Sequence, residues 1–264
     1  MRLAVIAGLP RSGSTLLCNL LAQHPDVYVS STSALPTVLN QVTGIFNNSP
    51  EVTSDLIAAE DETRNRSLAV LRGIIDNWYV GHDGLVIDKS RGWGPIALLL
   101  KRLMPDAPII VTVRDPREVF ASVEKQHRAS AEYGPHDKTM FERADEMLSP
   151  NGLIGGPIRW TEDLMRRRPP GLSIVSYDWL TNQTSHVMAS LAEELGLDPH
   201  DHDLVNVEST ATDADALYRF KYPHDGSGPV QQRELDWRDV IGDDLAQKIL
   251  ARWPFYASSL GYGP

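Results

Sequence analysis

At 264 residues the chain is long enough to bury a full core, as one large domain or two small ones. With 42% apolar and 23% charged residues it reads as an ordinary globular protein, and a formal net charge of −10 speaks against nucleic acid or an anionic membrane as partner, since both would repel it. Cys18 is the only cysteine, so neither an intrachain disulfide nor a thiolate metal cage is possible; no apolar run nears the ~18 residues of a membrane span, and a cytoplasmic location is expected.

The first predicted element is a buried strand, Leu3–Ala7, ending at Gly8. A helix follows over Ser14–Gln23, where Leu16/Leu17 and Leu20/Leu21 recur at helical spacing and Pro25 ends the pattern. Residues 35–80 read as largely helical, interrupted at Asn47-Asn48-Ser49-Pro50. Two more strands, Leu85–Asp88 and Ile109–Val113, each precede helical periodicity, over Ile96–Leu103 and Glu118–Arg128. A fourth strand, Ser173–Tyr177, leads into a helix closed by Gly196. Glu132–Pro157 and Val207–Val230 read as irregular, long enough to be lids or substrate loops. The alternation implies an α/β fold, a mainly parallel sheet flanked by helices on both faces, and residues 1–264 read as a single domain.

The segment GLPRSGST joins the first strand to the first helix. A strand, a glycine turn and a helix start set backbone N–H groups and a helix dipole against a bound anion. Gly8, Gly13 and Thr15 fit the pattern G-x-x-x-x-G-K-[ST], but Ser14 stands where the lysine belongs, and the cation sits inside the loop at Arg11. A phosphate cradle without the lysine that spans outer phosphates argues against an ordinary ATP or GTP site; a ligand-free tight turn is the plain alternative. Two more cations follow strand ends: Lys89 after Leu85–Asp88 and Arg114 after Ile109–Val113. Open parallel sheets bind ligands beyond the carboxyl ends of their strands, so the three would converge on a ligand with several anionic groups. Singly, each could be a surface ion pair, Lys89 beside Asp88 and Arg114 beside Asp115.

GLPRSGSTLL followed by HPDV resembles the 5′-phosphosulfate-binding segment of the sulfotransferases that use 3′-phosphoadenosine-5′-phosphosulfate (PAPS), the protein-tyrosine branch most of all. VTVRDPREVFASV is similar to the family's 3′-phosphate segment, with Arg114 and Ser122 eight residues apart, and IVSYDWL resembles the segment whose tyrosine contacts adenine, here Tyr177. Trp237 onward to Leu260–Tyr262 matches the family's usual ending. The resemblance implies a P-loop-like fold and PAPS as sulfuryl donor to a hydroxyl acceptor, with no metal. Arg11, Ser12, Gly13, Ser14 and Thr15 would hold the 5′-phosphosulfate, and Arg114, Ser122 and Tyr177 the rest of the nucleotide. Arg11 and Lys89 would be catalytic, neutralising charge on the leaving phosphate.

Three positions depart from that branch. Ser31-Thr32-Ser33 stands where a glutamate base is expected, leaving Asp88 or His127 as substitutes, although strand alternation aims Asp88 away from Lys89 and His127 reads as a solvated helix position. Gln126 replaces an arginine, with Lys125 or Arg128 as compensation, and Asp236 replaces a lysine, with Lys221 or Arg233. A metabolite kinase and a non-catalytic nucleotide-binding protein are the rival readings. Trp78, Tyr79 and Trp93 could line an acceptor pocket or lie in the core; His200-Asp-His202-Asp203 reads as an exposed acidic turn rather than a metal site.

Overall fold

Five short strands form one sheet: β1 (Arg2–Gly8), β2 (Val27–Ser30), β3 (Leu85–Lys89), β4 (Ile109–Val113) and β5 (Leu172–Ser176). Their order is β2-β3-β1-β4-β5 and every neighbouring pair is parallel. The computed structural model describes residues 1–129, 138–209, 227–232 and 235–263. β1 is central and apolar on both faces, because Leu3, Val5 and Ala7 enter one core while Ala4 and Ile6 enter the other. A strand buried on both sides reads as an unbroken apolar run, which is why β1, β3 and β4 are plain in the sequence.

The larger core lies under α2 (Leu35–Asn48), α4 (Glu60–Trp78), α5 (Trp93–Leu103), α6 (Pro116–Ala129), α8 (Gly155–Arg167), α11 (Trp237–Arg252) and α12 (Pro254–Ser259). The smaller lies under α1 (Ser14–Leu21), α9 (Tyr177–Asn182) and α10 (Thr184–Leu195). α3 (Pro50–Ala58) carries no buried residue and sits outside, against α2 and α4. The interruption expected at Asn47–Pro50 is the α2–α3 boundary, where the Ser49 hydroxyl caps α3 by accepting from the Val52 N–H at 3.3 Å.

Four expectations need correction. β2 was not anticipated, since it is a four-residue edge strand with Tyr28 facing out. The stretch Glu132–Pro157 holds α7 (Met140–Met147) and the start of α8, with residues 130–137 outside the described residues. Thr139 and Glu142 form a capping box at the start of α7, the T-x-x-E signal that marks a helix. The fourth strand stops at Ser176, and Tyr177 opens α9. The helix predicted before Gly196 is two, α9 and α10, and Gly196 closes the second at φ 60°. Within the irregular stretch 207–230, Val207 and Gly228 make an antiparallel bridge; residues 210–226 lie outside the described residues.

Candidate active site

The loop after β1 is shaped by two glycines. A Cβ on Gly8 would stand 2.0 Å from Thr112 Oγ1 and 2.5 Å from its carbonyl oxygen, so only glycine lets β1 and β4 run side by side up to the rim. The chain then turns through left-handed conformations at Arg11 (φ 61°) and Gly13 (φ 85°). A left-handed arginine costs about 1–3 kcal/mol and persists only where its surroundings fix it. Here the Ser12 hydroxyl, 1% exposed, donates to the Leu9 carbonyl at 2.6 Å and shares a 2.7 Å hydrogen bond with Thr112 Oγ1. Ser12 thus props the loop from beneath, while its neighbours face the opening. α1 begins at Ser14 with no side chain capping its first turn, which leaves that turn's N–H groups and the helix dipole to an anion.

Arg11, Gly13, Ser14, Thr15, Lys89, Arg114 and Tyr177 line one cavity of about 200 Å³ at the carboxyl ends of β1, β3, β4 and β5. No carboxylate is among its described lining residues, so the cavity is cationic in an acidic protein. Ser122 sits one step behind, accepting a hydrogen bond from Arg11 Nε at 3.2 Å. Arg114, 6% exposed, donates from Nη1 to the Arg11 carbonyl at 3.1 Å and from Nε to Glu118 Oε2 at 2.7 Å. Its guanidinium lies 3.9 Å from the centre of the Tyr177 ring. That ring fills the space beside Gly13, where a Cβ would come within 2.9 Å of it. Burial raises the Glu118 carboxyl above its ordinary value, with Arg114 pulling the other way. Sequence reasoning passed over Glu118, although its i,i+4 spacing from Arg114 was there to read. It also missed Tyr256 of α12, whose buried hydroxyl accepts from the Arg114 N–H at 3.3 Å and donates to its carbonyl at 3.0 Å.

At the end of β3 successive residues part company. Lys89 lines the cavity, whereas Asp88 points to the other face and is fully buried. Its carboxylate accepts three hydrogen bonds of 2.6 Å, from Ser33 Oγ, Tyr79 OH and Trp93 Nε1. Burial raises its pKa, and the three donors partly offset that by favouring the charge. Asp88 is therefore enclosed and does not line the cavity. Tyr79 and Trp93 are core residues whose polar ends meet on Asp88, and only Trp78, 41% exposed, faces solvent. His127 is buried rather than solvated, because α6 is covered by α11, which arrives more than a hundred residues later.

Arg128 is engaged with Glu124, and Asp236 caps α11 by accepting from the Arg238 N–H at 2.9 Å. Lys221 and Arg233 lie outside the described residues. His200 and His202 pack ring to ring with centroids 4.8 Å apart, and His24 lies 5.4 Å from His200. Among the described residues no group of three or more His, Cys, Asp or Glu is placed to hold a metal ion, and no helix is long and apolar enough to cross a membrane.

Residues 4–201 match the model of the sulfotransferase family. A putative protein-tyrosine sulfotransferase of Caenorhabditis briggsae is 25% identical, over 99% of this chain and 89% of its own length. The nodulation protein NoeE of Sinorhizobium fredii is 31% identical over 45% of this chain, and the match spans 30% of that protein. Among solved structures, the sulfotransferase domain of the Synechococcus PCC 7002 olefin synthase superposes with a TM-score of 0.54 at 19% identity, covering 100% of this chain and 96% of that one. Retinol dehydratase, in a complex with retinol and PAP, superposes with a TM-score of 0.52 at 14% identity, covering 97% and 82%.

Proposed function

The chain belongs to the sulfotransferase family, whose members move a sulfuryl group from PAPS to a hydroxyl acceptor, and from that premise we propose how its cavity performs the transfer. The loop amides of residues 11–15 and the first turn of α1 bind the 5′-phosphosulfate. Arg114 and Ser122 take the 3′-phosphate, and Tyr177 takes the adenine. The observation that supports this reading is the convergence of Arg11, Lys89 and Arg114, from three separate strand ends, on one cavity with no acidic residue among its described lining. Glycine at position 13 lets the loop turn at φ 85° directly against the Tyr177 ring, and Arg114 is held by Glu118, Arg11, Tyr177 and Tyr256, so it has little freedom left to lose on binding.

When bound, the nucleotide supplies a sulfuryl group on a phosphate leaving group. Arg11 and Lys89 stabilise the negative charge that grows on that phosphate, as fixed cations do in phosphoryl transfer. Ser12 keeps Arg11 in its left-handed pose and so sets the direction of its side chain. The buried Asp88 fixes the end of β3, which fixes the origin of Lys89. We read residues 1–264 as one domain, since α11 and α12 share the core of β1 and β4.

The test is a calorimetric titration with PAP (adenosine 3′,5′-bisphosphate), followed by mass spectrometry of PAPS incubated with the protein and a panel of hydroxyl compounds. Saturable PAP binding and a product heavier by one sulfuryl group (SO3) are expected. Folded protein that gives no heat with PAP would overturn the reading, as would transfer of phosphate from ATP without transfer of sulfate from PAPS.

A further inference from the structure

The cavity has a fourth cation. Arg91, exposed, lines it together with Lys89 and comes from the connection between β3 and α5. That connection is a tight turn in which the Gly92 N–H donates to Ser90 Oγ at 3.3 Å and the Trp93 N–H to the Ser90 carbonyl at 3.2 Å. The turn is fixed on both sides: Trp93 is bonded to Asp88, and Gly92 lies so close to Pro36 of α2 that a Cβ would meet it at 3.1 Å. Arg91 therefore starts from a rigid base.

The strand order gives Arg91 a direction. Along the rim, Tyr177 follows β5, Arg114 follows β4, Arg11 follows β1, Lys89 ends β3 and Arg91 follows it. From β5 to β3 is three strand spacings, about 14 Å. On the reading above, the nucleotide takes up that length with its adenine at Tyr177 and its sulfuryl group at Lys89. Its anionic groups are then matched by Arg114, the loop with Arg11, and Lys89. Past Lys89, among the described residues, the sheet has only its edge strand β2 left, so the acceptor approaches from the β2–β3 side, where Arg91 stands.

The geometry points to Arg91 as the residue that selects the acceptor, which is a hydroxyl compound carrying an anionic group, carboxylate or sulfate ester, near the hydroxyl that is sulfated. An acidic protein repels such a compound in general, so a local cation at the entrance is what would admit it. This inference rests on the placement of the nucleotide proposed above.

Three matched sets of probes test it: 4-hydroxyphenylacetate, 4-hydroxyphenyl sulfate and 4-hydroxyphenylacetamide; glycerate, glycerol sulfate and glyceramide; and 3-hydroxybutyrate, 3-hydroxybutyl sulfate and 3-hydroxybutyramide. Each is measured for turnover with PAPS and for binding to the PAP complex. Wild-type protein should favour an anionic member over its amide by about tenfold or more, the scale of one charge-assisted contact. Arg91→Gln should remove that preference through KM, with kcat for the amides and PAP affinity both within about twofold, and Arg91→Lys should restore part of it. The carboxylate and sulfate arms show which anion is preferred. Equal use of anionic and neutral members, binding of none of them, or a tenfold loss of PAP affinity in Arg91→Gln would each overturn the inference. The last would mean that Arg91 grips the nucleotide. Failure of wild type to bind PAP would instead overturn the reading on which the inference rests.

Discussion

The two halves of the sheet rim are built differently. The half over β1, β4 and β5 presents backbone amides, two arginines and a tyrosine to a cavity, tied by polar contacts such as Arg114 to the Arg11 carbonyl and Arg11 to Ser122. The half over β2 and β3 turns its hydrogen bonds inward, onto a single buried carboxylate that joins β3 to Ser33, α5 and the end of α4. On the proposed reading the first half grips one fixed nucleotide and can be preorganised throughout. The second, proposed to meet the acceptor, has a rigid floor in Asp88, with Lys89 and Arg91 lining the cavity.

That contrast is open to attack, and the strongest blow is Lys89→Ala. It should cost about two to three powers of ten in turnover, as when a single charge-stabilising group is removed from an active site, and weaken PAP as well, because PAP carries the phosphate on which that charge develops. Quench-flow rates beside PAP titrations would check it, and near-normal turnover would show that Lys89 belongs to the scaffold. Asp88→Ala should act on folding instead. It strands two buried donors, Tyr79 OH and Trp93 Nε1, and the half-buried Ser33 Oγ, so at about 1 kcal/mol or more for each buried donor a loss of about 2–3 kcal/mol is expected from urea unfolding. An unchanged midpoint with lost PAP binding would dissolve the division between the halves. Gly13→Ala should weaken PAP by about tenfold and lower the melting temperature by a few degrees, because a Cβ there meets Tyr177 at 2.9 Å and the residue sits at φ 85°. Equal PAP affinity in wild type and variant would remove the loop from the grip.

The smallest effect is one of pH. Glu124 is fully buried; burial alone would raise its pKa, yet hydrogen bonds from Arg143 and Arg128 bring it below the ordinary 4.5. A carboxyl depressed in the folded state adds stability above its unfolded value, and loses that contribution as pH falls through the folded value. Thermal melts from pH 5 down to about 3 should therefore fall more steeply for wild type than for Glu124→Gln. Parallel curves would show that the clasp between α6 and α7 carries no charge linkage.

How much of this the sequence disclosed follows the same division. GLPRSGST, Lys89 and Arg114 are local signals: each cation stands at or just past the carboxyl end of a strand, and a doubly buried strand is hard to mistake. Asp88 was only half legible. Alternation tells that it turns from Lys89, but nothing local tells that Ser33, fifty-five positions earlier, and Tyr79 come to meet it. His127 misled for the same reason, since the helix that covers it lies far along the chain. The α7 capping box was readable and overlooked, because Gly, Pro and charge around it resemble loop text. What escaped was mostly long-range contact, which a window of neighbours does not contain.

Tyr256 binds both backbone groups of Arg114 from a helix near the far end of the chain. During synthesis, the arginine assigned to the nucleotide's second phosphate emerges with that brace still to come. On the proposed reading, competence for the nucleotide thus waits on α12, and a chain cut short of it would leave Arg114 without its backbone brace.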